Sequence, residues 1–254
     1  MTADQELVSI ITPAFKASAT IRETIRSVQA QTHSHWELLV AEDCGPDDTR
    51  AIVAAEAASD LRVRLVRMER NGGPAAARNH ALAQARGRWV AFLDSDDLWL
   101  PQKLEKQLAF HRQRPGTVLT FTGFRRINAD ASLTGRYLGV PPLMRFRDVL
   151  GNTAIATSTV LVDTRLSGPI RMRDTYYDDF ACWLDLLRGG GEAAGLDEDL
   201  ARYRVMRGSV SRDKRNSALE VWRAYRQLQG LGRLPSAWYF ANYAVRGWLK
   251  YRRF

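Results

Sequence analysis

Three stretches of this 254-residue chain place carboxylates where a ligand can meet them. Asp94-Ser95-Asp96-Asp97 follows the apolar run Trp89-Val-Ala-Phe-Leu93. Carboxylates two apart at the end of a buried strand can point into one site. They suit a hard cation such as Mg²⁺ or Mn²⁺, held by one or two carboxylates plus phosphate oxygens and water. The same loop also reads as a solvated cap on the helix from Pro101. Glu42-Asp43 follows a second apolar run, Glu37-Leu-Leu-Val-Ala41. Asp43, directly at the strand end, can accept a hydrogen bond from a base N–H. Tyr177-Asp178-Asp179-Phe180 is the third stretch. Its acids suit the first turn of a helix, where the dipole favours them. Asp47 and Asp48 read as helix-start residues. His33, His35, His80 and His111 show no metal-ligand spacing, and Cys44 and Cys182 read as small core or turn residues.

The elements that must carry these groups alternate. Strands are expected at 7–12, 37–41, 63–66 and 89–93, and helices at 18–29, from Asp47 over Ile52 and Val53, at 75–85 and at 101–114. Pro74 after Asn71-Gly-Gly is placed to start a helix. Strand and helix in strict alternation mean βαβ units on a largely parallel sheet, whose ligands bind at the carboxyl ends of the strands. After Pro115 the order loosens. Strands are expected at 118–124 and 156–162, a helix within 176–187, one or two short strands within 192–203, and closing helices at about 217–229 and 236–251.

The composition narrows the class. An apolar fraction of 45% argues for a packed core and against disorder. No apolar run spans a bilayer, Met1 to Glu6 lacks the order of a signal peptide, and two isolated cysteines suggest a reducing compartment. A cytoplasmic protein is therefore expected. The net charge of +9 is uneven: residues 202–254 carry 13 basic and 2 acidic side chains, while the preceding 201 carry 24 and 26. A basic tail on a neutral body points to a local anionic partner, phosphate or membrane surface, more than to nucleic acid. In the tail, a helix from Ser236 would align Trp238, Ala241, Val245 and Trp248 on one face and Arg246, Lys250 and Arg253 on another, which suits either a membrane interface or an apolar face packed on the domain with solvated arginines. The segment 204–215, with Ser209 and Ser211 on it, reads as a basic loop that could close over an anionic ligand, or as a solvated linker. No G-x-G-x-x-G follows the first strand, which argues against a dehydrogenase.

Taken together, Ser9-Ile-Ile-Thr-Pro13, Ser27-Val-x-x-Gln31-Thr, Trp36-Glu-Leu-Leu-Val40, Glu42-Asp-Cys-Gly-Pro-Asp47-Asp-Thr49, Asn71-Gly-Gly-Pro-x-x-Ala77-Arg-Asn79 and Phe92-Leu-Asp-Ser-Asp-Asp-Leu-Trp-Leu-Pro101 resemble the family 2 glycosyltransferases with the GT-A fold. Asn152, Ser158-Thr-Val160, Tyr177-Asp-Asp-Phe-x-x-Trp183-Leu, Leu200-Ala-Arg-Tyr-Arg204 and Gly208-Ser-Val-Ser211 extend the resemblance toward the bacterial branch that builds teichuronic acid, exopolysaccharide or O-antigen chains.

The resemblance implies an α/β GT-A fold: a mostly parallel central sheet flanked by helices, with C-terminal helices. It implies a nucleotide-sugar-binding half (1–115), an acceptor-binding half with the catalytic base (116–215), and basic aromatic helices (216–254). Thr12, Pro13 and Ala14 would line the nucleoside pocket, Asp43 would contact the base, and Arg78, Asp94, Ser95 and Asp96 would face the nucleotide. Asp94 and Asp96 would hold the divalent cation, Mg²⁺ or Mn²⁺. Asp179 would be the base of an inverting transfer from a nucleoside diphosphate sugar, UDP-linked, to a saccharide or lipid-linked acceptor, at the inner face of the cell membrane. Two departures stand out: Glu42 replaces the family's first Asp, and Phe15-Lys16 replaces an aromatic-Asn pair. A sugar-nucleotide pyrophosphorylase would need a Gly-rich loop with lysine after the first strand, which Thr12-Pro-Ala-Phe-Lys16 does not supply. A non-catalytic nucleotide-binding or membrane-adaptor protein would be expected to have lost Asp96 and Asp179, and both are present.

Overall fold

The computed structural model describes residues 6–152, 154–206 and 214–251. The first half alternates as the periodicity requires: β1 (Val8–Ala14), α1 (Ile21–Gln29), β2 (Trp36–Glu42), α2 (Thr49–Ser59), β3 (Val63–Arg67), α3 (Gly73–Leu82), β4 (Trp89–Phe92), β5 (Leu98–Trp99) and α4 (Lys103–Arg112). The second half holds β6 (Thr117–Ile127), β7 (Thr134–Leu138), β8 (Leu143–Met144), α5 (Phe146–Leu150), a 3₁₀ turn at Thr157–Thr159, β9 (Leu161–Asp163), α6 (Thr164–Ser167), α7 (Asp178–Leu187) and β10 (Glu192–Arg204). α8 (Lys214–Arg223), a π turn at Ala224–Leu228 and α9 (Arg233–Tyr251) close the chain.

One sheet runs in the order β3-β2-β1-β4-β9-β6-β10-β5, with β7 on β6 and β8 on β10. Its long ladders, β1–β2, β2–β3, β1–β4 and β6–β10, are parallel. The antiparallel ladders have at most three pairs each. β9 is the short strand that joins the two parallel sets, antiparallel to both β4 and β6.

β1, β2 and β4 are buried almost from end to end because both sheet faces are covered there. Val8, Ile10, Leu38 and Val40 pack with Ile21, Ile25 and Leu104 on one face. Ile11, Leu39 and Phe92 pack with Ala77, Trp183 and Leu184 on the other. Burying apolar side chains at roughly 1.5–3 kcal/mol each makes these two layers the main source of cohesion.

Several elements differ from expectation. Residues 156–162 form a tight turn and then a three-residue strand, because Thr157, Ser158 and Thr159 are all buried and their hydroxyls bond locally and to neighbouring elements. Residues 192–204 form one long strand that absorbs its irregular pattern in three register shifts against β6. The closing helix reaches back to Arg233. Tyr239, Phe240 and Tyr243 of α9 pack on the core, through ring contacts of Trp222 with Phe240 and Tyr225 with Tyr239. Leu234, Trp238, Ala241 and Val245 face outward.

Candidate active site

A cleft opens at the carboxyl ends of β1, β2 and β4. Pro13, Ala14 and Phe15 form one wall, and Asp43 with Pro74, Ala77 and Arg78 of α3 another. Asp94, Ser95 and Asp96 line it from the loop after β4, and Tyr203 from β10. Thr12 does not reach this cleft. It is fully buried and still inside the ladder, opposite Val40, two residues before the strand ends. The expectation that it lines the pocket is thus corrected.

The acidic turn after β2 is saturated with donors. Glu42 is fully buried; it accepts the Gly45 N–H at 2.6 Å and Arg50 Nε–H at 2.8 Å. Asp43 accepts the N–H groups of Gly72 and Gly73, each at 2.8 Å, while Asn71 Nδ2 donates to its carbonyl at 2.9 Å. Gly73 needs no side chain here, since its φ is +80°. Asp43 thereby satisfies orphan amides at the start of α3 while still bordering the cleft. Asp47 does more than start a helix. It accepts from Thr49 Oγ1 at 2.7 Å and from the Ser18 N–H at 3.0 Å, tying α2 to the loop after β1.

The loop after β4 is held differently. Its carbonyls take the Thr20 and Thr24 hydroxyls at Ser95, 2.9 and 3.0 Å, and Arg204 Nε–H at Asp96, 2.7 Å. Asp97 is buried and accepts the Ser158 hydroxyl at 2.5 Å and the Arg204 N–H at 2.8 Å. Burial first, and the charges of Asp96 and Asp94 second, push the Asp97 carboxyl well above the usual range. Burial and then Asp94 push Asp96 up to about 6. Asp94 and Asp96, two crowded carboxylates on a cleft wall, form a hard oxygen donor pair, which fits Mg²⁺ or Mn²⁺. Among the described residues no group of three or more His, Cys, Asp or Glu is gathered as a metal cage. A cation here would therefore need further oxygens from phosphate and water.

Arg78 links this loop to α7. Its guanidinium is buried and donates to Asp94 Oδ1 at 2.5 Å and to Asp178 Oδ2 at 2.6 Å. Burial disfavours the cation, but Asp94 and Asp178 outweigh it and raise the pKa further. Arg78 is thus neither a surface arginine nor wholly free for a nucleotide. Asp178 is raised by burial, against the pull of Arg78. Its neighbour Asp179 opens α7, with Oδ2 accepting the Thr157 hydroxyl at 2.5 Å. Asp178 and Asp179 lie behind Arg78 and not in the cleft wall itself.

Two residues were not assigned a role from the sequence. Tyr203 faces the cleft, and Arg204 is a buried clamp that also donates to Ala129 O and Glu23 Oε2, at 2.6 Å each. Arg204 therefore ends β10 and does not belong to a closing basic loop. Ser209 and Ser211 lie outside the described residues. The only sequence signal for either residue is their place in Leu200-Ala-Arg-Tyr-Arg204. Cys44 sits in the left-handed turn (φ 55°) and Cys182 in the core, as expected.

The model of glycosyl transferase family 2 matches residues 9–159. The chain belongs to this family. Within it, TuaG of Bacillus subtilis, named for teichuronic acid biosynthesis, is 40% identical over 96% of this chain and 97% of its own. WfgD of Escherichia coli, named as a UDP-Glc:α-D-GlcNAc-diphosphoundecaprenol β-1,3-glucosyltransferase, is 34% identical over 96% and 94%. In three dimensions this glycosyltransferase is similar to residues 1–349 of Staphylococcus aureus TarS, solved with UDP-GlcNAc. The TM-score is 0.70 at 19% identity, covering 95% of this chain and 72% of that one. The sheet order and flanking helices are those of the GT-A fold.

Proposed function

We propose that this glycosyltransferase moves a hexose from UDP, with inversion, onto a hydroxyl of a lipid-linked saccharide in cell-surface polysaccharide synthesis. The observation that carries the reading is Arg78. One guanidinium spans Asp94, on the donor wall, and Asp178, beside the base candidate Asp179. The names of TuaG and WfgD support the pathway class and the UDP-linked donor.

In this reading Pro13 and Ala14 border the nucleoside, and Asp43 accepts a hydrogen bond from a base N–H. Asp94, Ser95 and Asp96 face the diphosphate. Asp94 and Asp96 would hold Mg²⁺ or Mn²⁺, which supplies positive charge to the leaving diphosphate when bound. Asp179 takes the proton from the acceptor hydroxyl as it attacks the face opposite the diphosphate. Asp178, paired with Arg78, keeps that end of α7 against the donor loop.

Thermal-shift titration with nucleoside diphosphates, with and without Mn²⁺, is the first test. A UDP shift that requires metal and disappears in Asp96→Ala is expected, and no shift with any nucleotide would favour a degenerate, non-catalytic protein. Asp179→Asn should keep the UDP shift and lose transfer by about 10²–10⁴-fold, the usual weight of a general base. Unchanged turnover in that variant sinks the base assignment.

A membrane-surface placement is supported by the outer face of α9, where Leu234, Trp238 and Val245 are 85%, 69% and 57% exposed. No helix among the described residues is long and apolar enough to cross a membrane. An exposed apolar stripe on a segment carrying 13 basic and 2 acidic side chains suits an anionic interface. Full-length protein should float with phosphatidylglycerol vesicles, and Trp238→Glu should sediment. Equal flotation of the two defeats this placement.

A further inference from the structure

Two adjacent residues in the turn Thr157–Thr159 reach opposite parts of the site. Thr157 Oγ1 donates to Asp179 Oδ2 at 2.5 Å, while Asp179 Oδ1 accepts the Phe180 N–H at 2.6 Å. Ser158 Oγ donates to Asp97 Oδ2 at 2.5 Å and accepts the Asp94 N–H at 3.1 Å. Its one hydroxyl therefore ties both ends of the acidic loop. The turn is itself fixed from three sides. Ser158 O accepts Trp99 Nε1–H at 2.6 Å, Thr159 O accepts Gln107 Nε2–H at 3.0 Å, and Val160 O accepts the Phe92 N–H at 3.4 Å. Thr157, Ser158 and Thr159 are all buried, and neither Thr157 nor Ser158 lines the cleft.

We propose that this turn is a positioning element that sets the separation between the diphosphate site and the base: Thr157 aims Asp179, and Ser158 anchors the Asp94–Asp97 loop. The proposal rests on the reading of Asp179 as base and of Asp94 and Asp96 as the cation pair. Consecutive Cα atoms are ~3.8 Å apart, so a rigid turn transmits almost no slack between its two neighbours. Thr157 is β-branched, which restricts its χ1 and so the direction of its hydroxyl. Removing a supporting hydroxyl leaves the carboxylate held by one backbone N–H alone, that of Phe180 for Asp179 or of Arg204 for Asp97, and outer partners of this kind are worth about 10–100-fold in affinity or activity.

The two neighbours should therefore fail in different measurements. Thr157→Val should lower kcat by about 10–100-fold at saturating Mn²⁺, donor and acceptor. Its calorimetric Kd for UDP with Mn²⁺ should stay within about twofold of wild type, and Thr157→Ser should restore turnover. Ser158→Ala should weaken Mn²⁺-dependent UDP binding about tenfold and leave kcat at saturation within about threefold. Turnover is read as UDP release from whichever of UDP-glucose, UDP-galactose and UDP-GlcNAc the wild type uses fastest, with a GlcNAc-diphospholipid acceptor. Both variants moving the same quantity together with Tm, or either one being silent, overturns the proposal. If Thr157→Val does not fold, Thr157→Ala is read the same way. Collapse of both with Thr157→Ser intact assigns Thr157 to packing and also overturns it. The underlying reading fails separately: an active Asp179→Asn removes the base, whereas an inactive Asp179→Asn beside a silent Thr157→Val removes only the positioning role.

Discussion

The two acidic strand ends have similar compositions and opposite electrostatics. After β2, every carboxylate oxygen of Glu42 and Asp43 receives a donor from the backbone or from Arg50. After β4, Asp94 shares Arg78 with Asp178, Asp96 is pushed up to about 6, and burial holds Asp97 well above the usual carboxylate range. Donor supply, not acid content, separates the two. The first turn is a finished scaffold whose charge is spent on holding α3. The second is a loop whose negative charge is left unbalanced at the cleft, at a cost that a bound cation would relieve.

That contrast can be broken by three measurements. Asp96→Asn should cut transfer by about 10³-fold, roughly 4 kcal/mol, and abolish Mn²⁺-dependent UDP binding. Asp43→Ala should act on the fold, since it strands two amides at the start of α3. A loss of about 3 kcal/mol, or roughly 6–12 °C in Tm, is expected by scanning calorimetry. An equal fall in Tm for both variants would erase the distinction drawn here. The smallest effect has the opposite sign. An acid whose folded pKa is raised binds its proton more tightly in the folded state, so its favourable contribution is full below the ordinary carboxylate value and is lost as pH rises through about 6. Metal-free Asp96→Asn should therefore melt above wild type at pH 7, by at most about 6–12 °C for the full shift and by less as solvent screens it, with the gap closing by pH 4. A gap that stays constant across this range would mean that Asp96 carries no electrostatic penalty.

The parallel half of the sheet is legible in the sequence because its strands are uninterrupted apolar runs and its helices begin at Pro74 or in acid-rich turns. The cleft residues Pro13, Ala14, Asp43, Arg78, Asp94, Ser95 and Asp96 are legible for the same reason, since each follows or faces a strand end. Thr12 is misplaced because residue type alone does not say where a strand stops pairing. The pairing of Arg78 with Asp178 is invisible, because those residues, 100 positions apart, are brought together only by placing α7 and α3 on the same face of the sheet. Tyr203 and Arg204 escape because β10 carries register shifts that destroy the alternation a reader would use. The turn at Thr157–Thr159 escapes because Thr-Ser-Thr between apolar residues has the composition of a strand.

β9 has a consequence for how the molecule is made. The ladder β3-β2-β1-β4 can assemble from the first 92 residues, but the outer edge of β4 pairs with Leu161–Asp163. During synthesis that edge waits, unpaired, until the chain has passed residue 163. The acidic loop beside it waits equally long for Ser158. The donor fold can thus form early, while the site on it closes late, in a step with high sequence separation and correspondingly slow kinetics. A chain stopped before β9 would present an exposed strand edge next to an acidic loop that still lacks its Ser158 and Arg204 bonds, a species prone to edge-to-edge association.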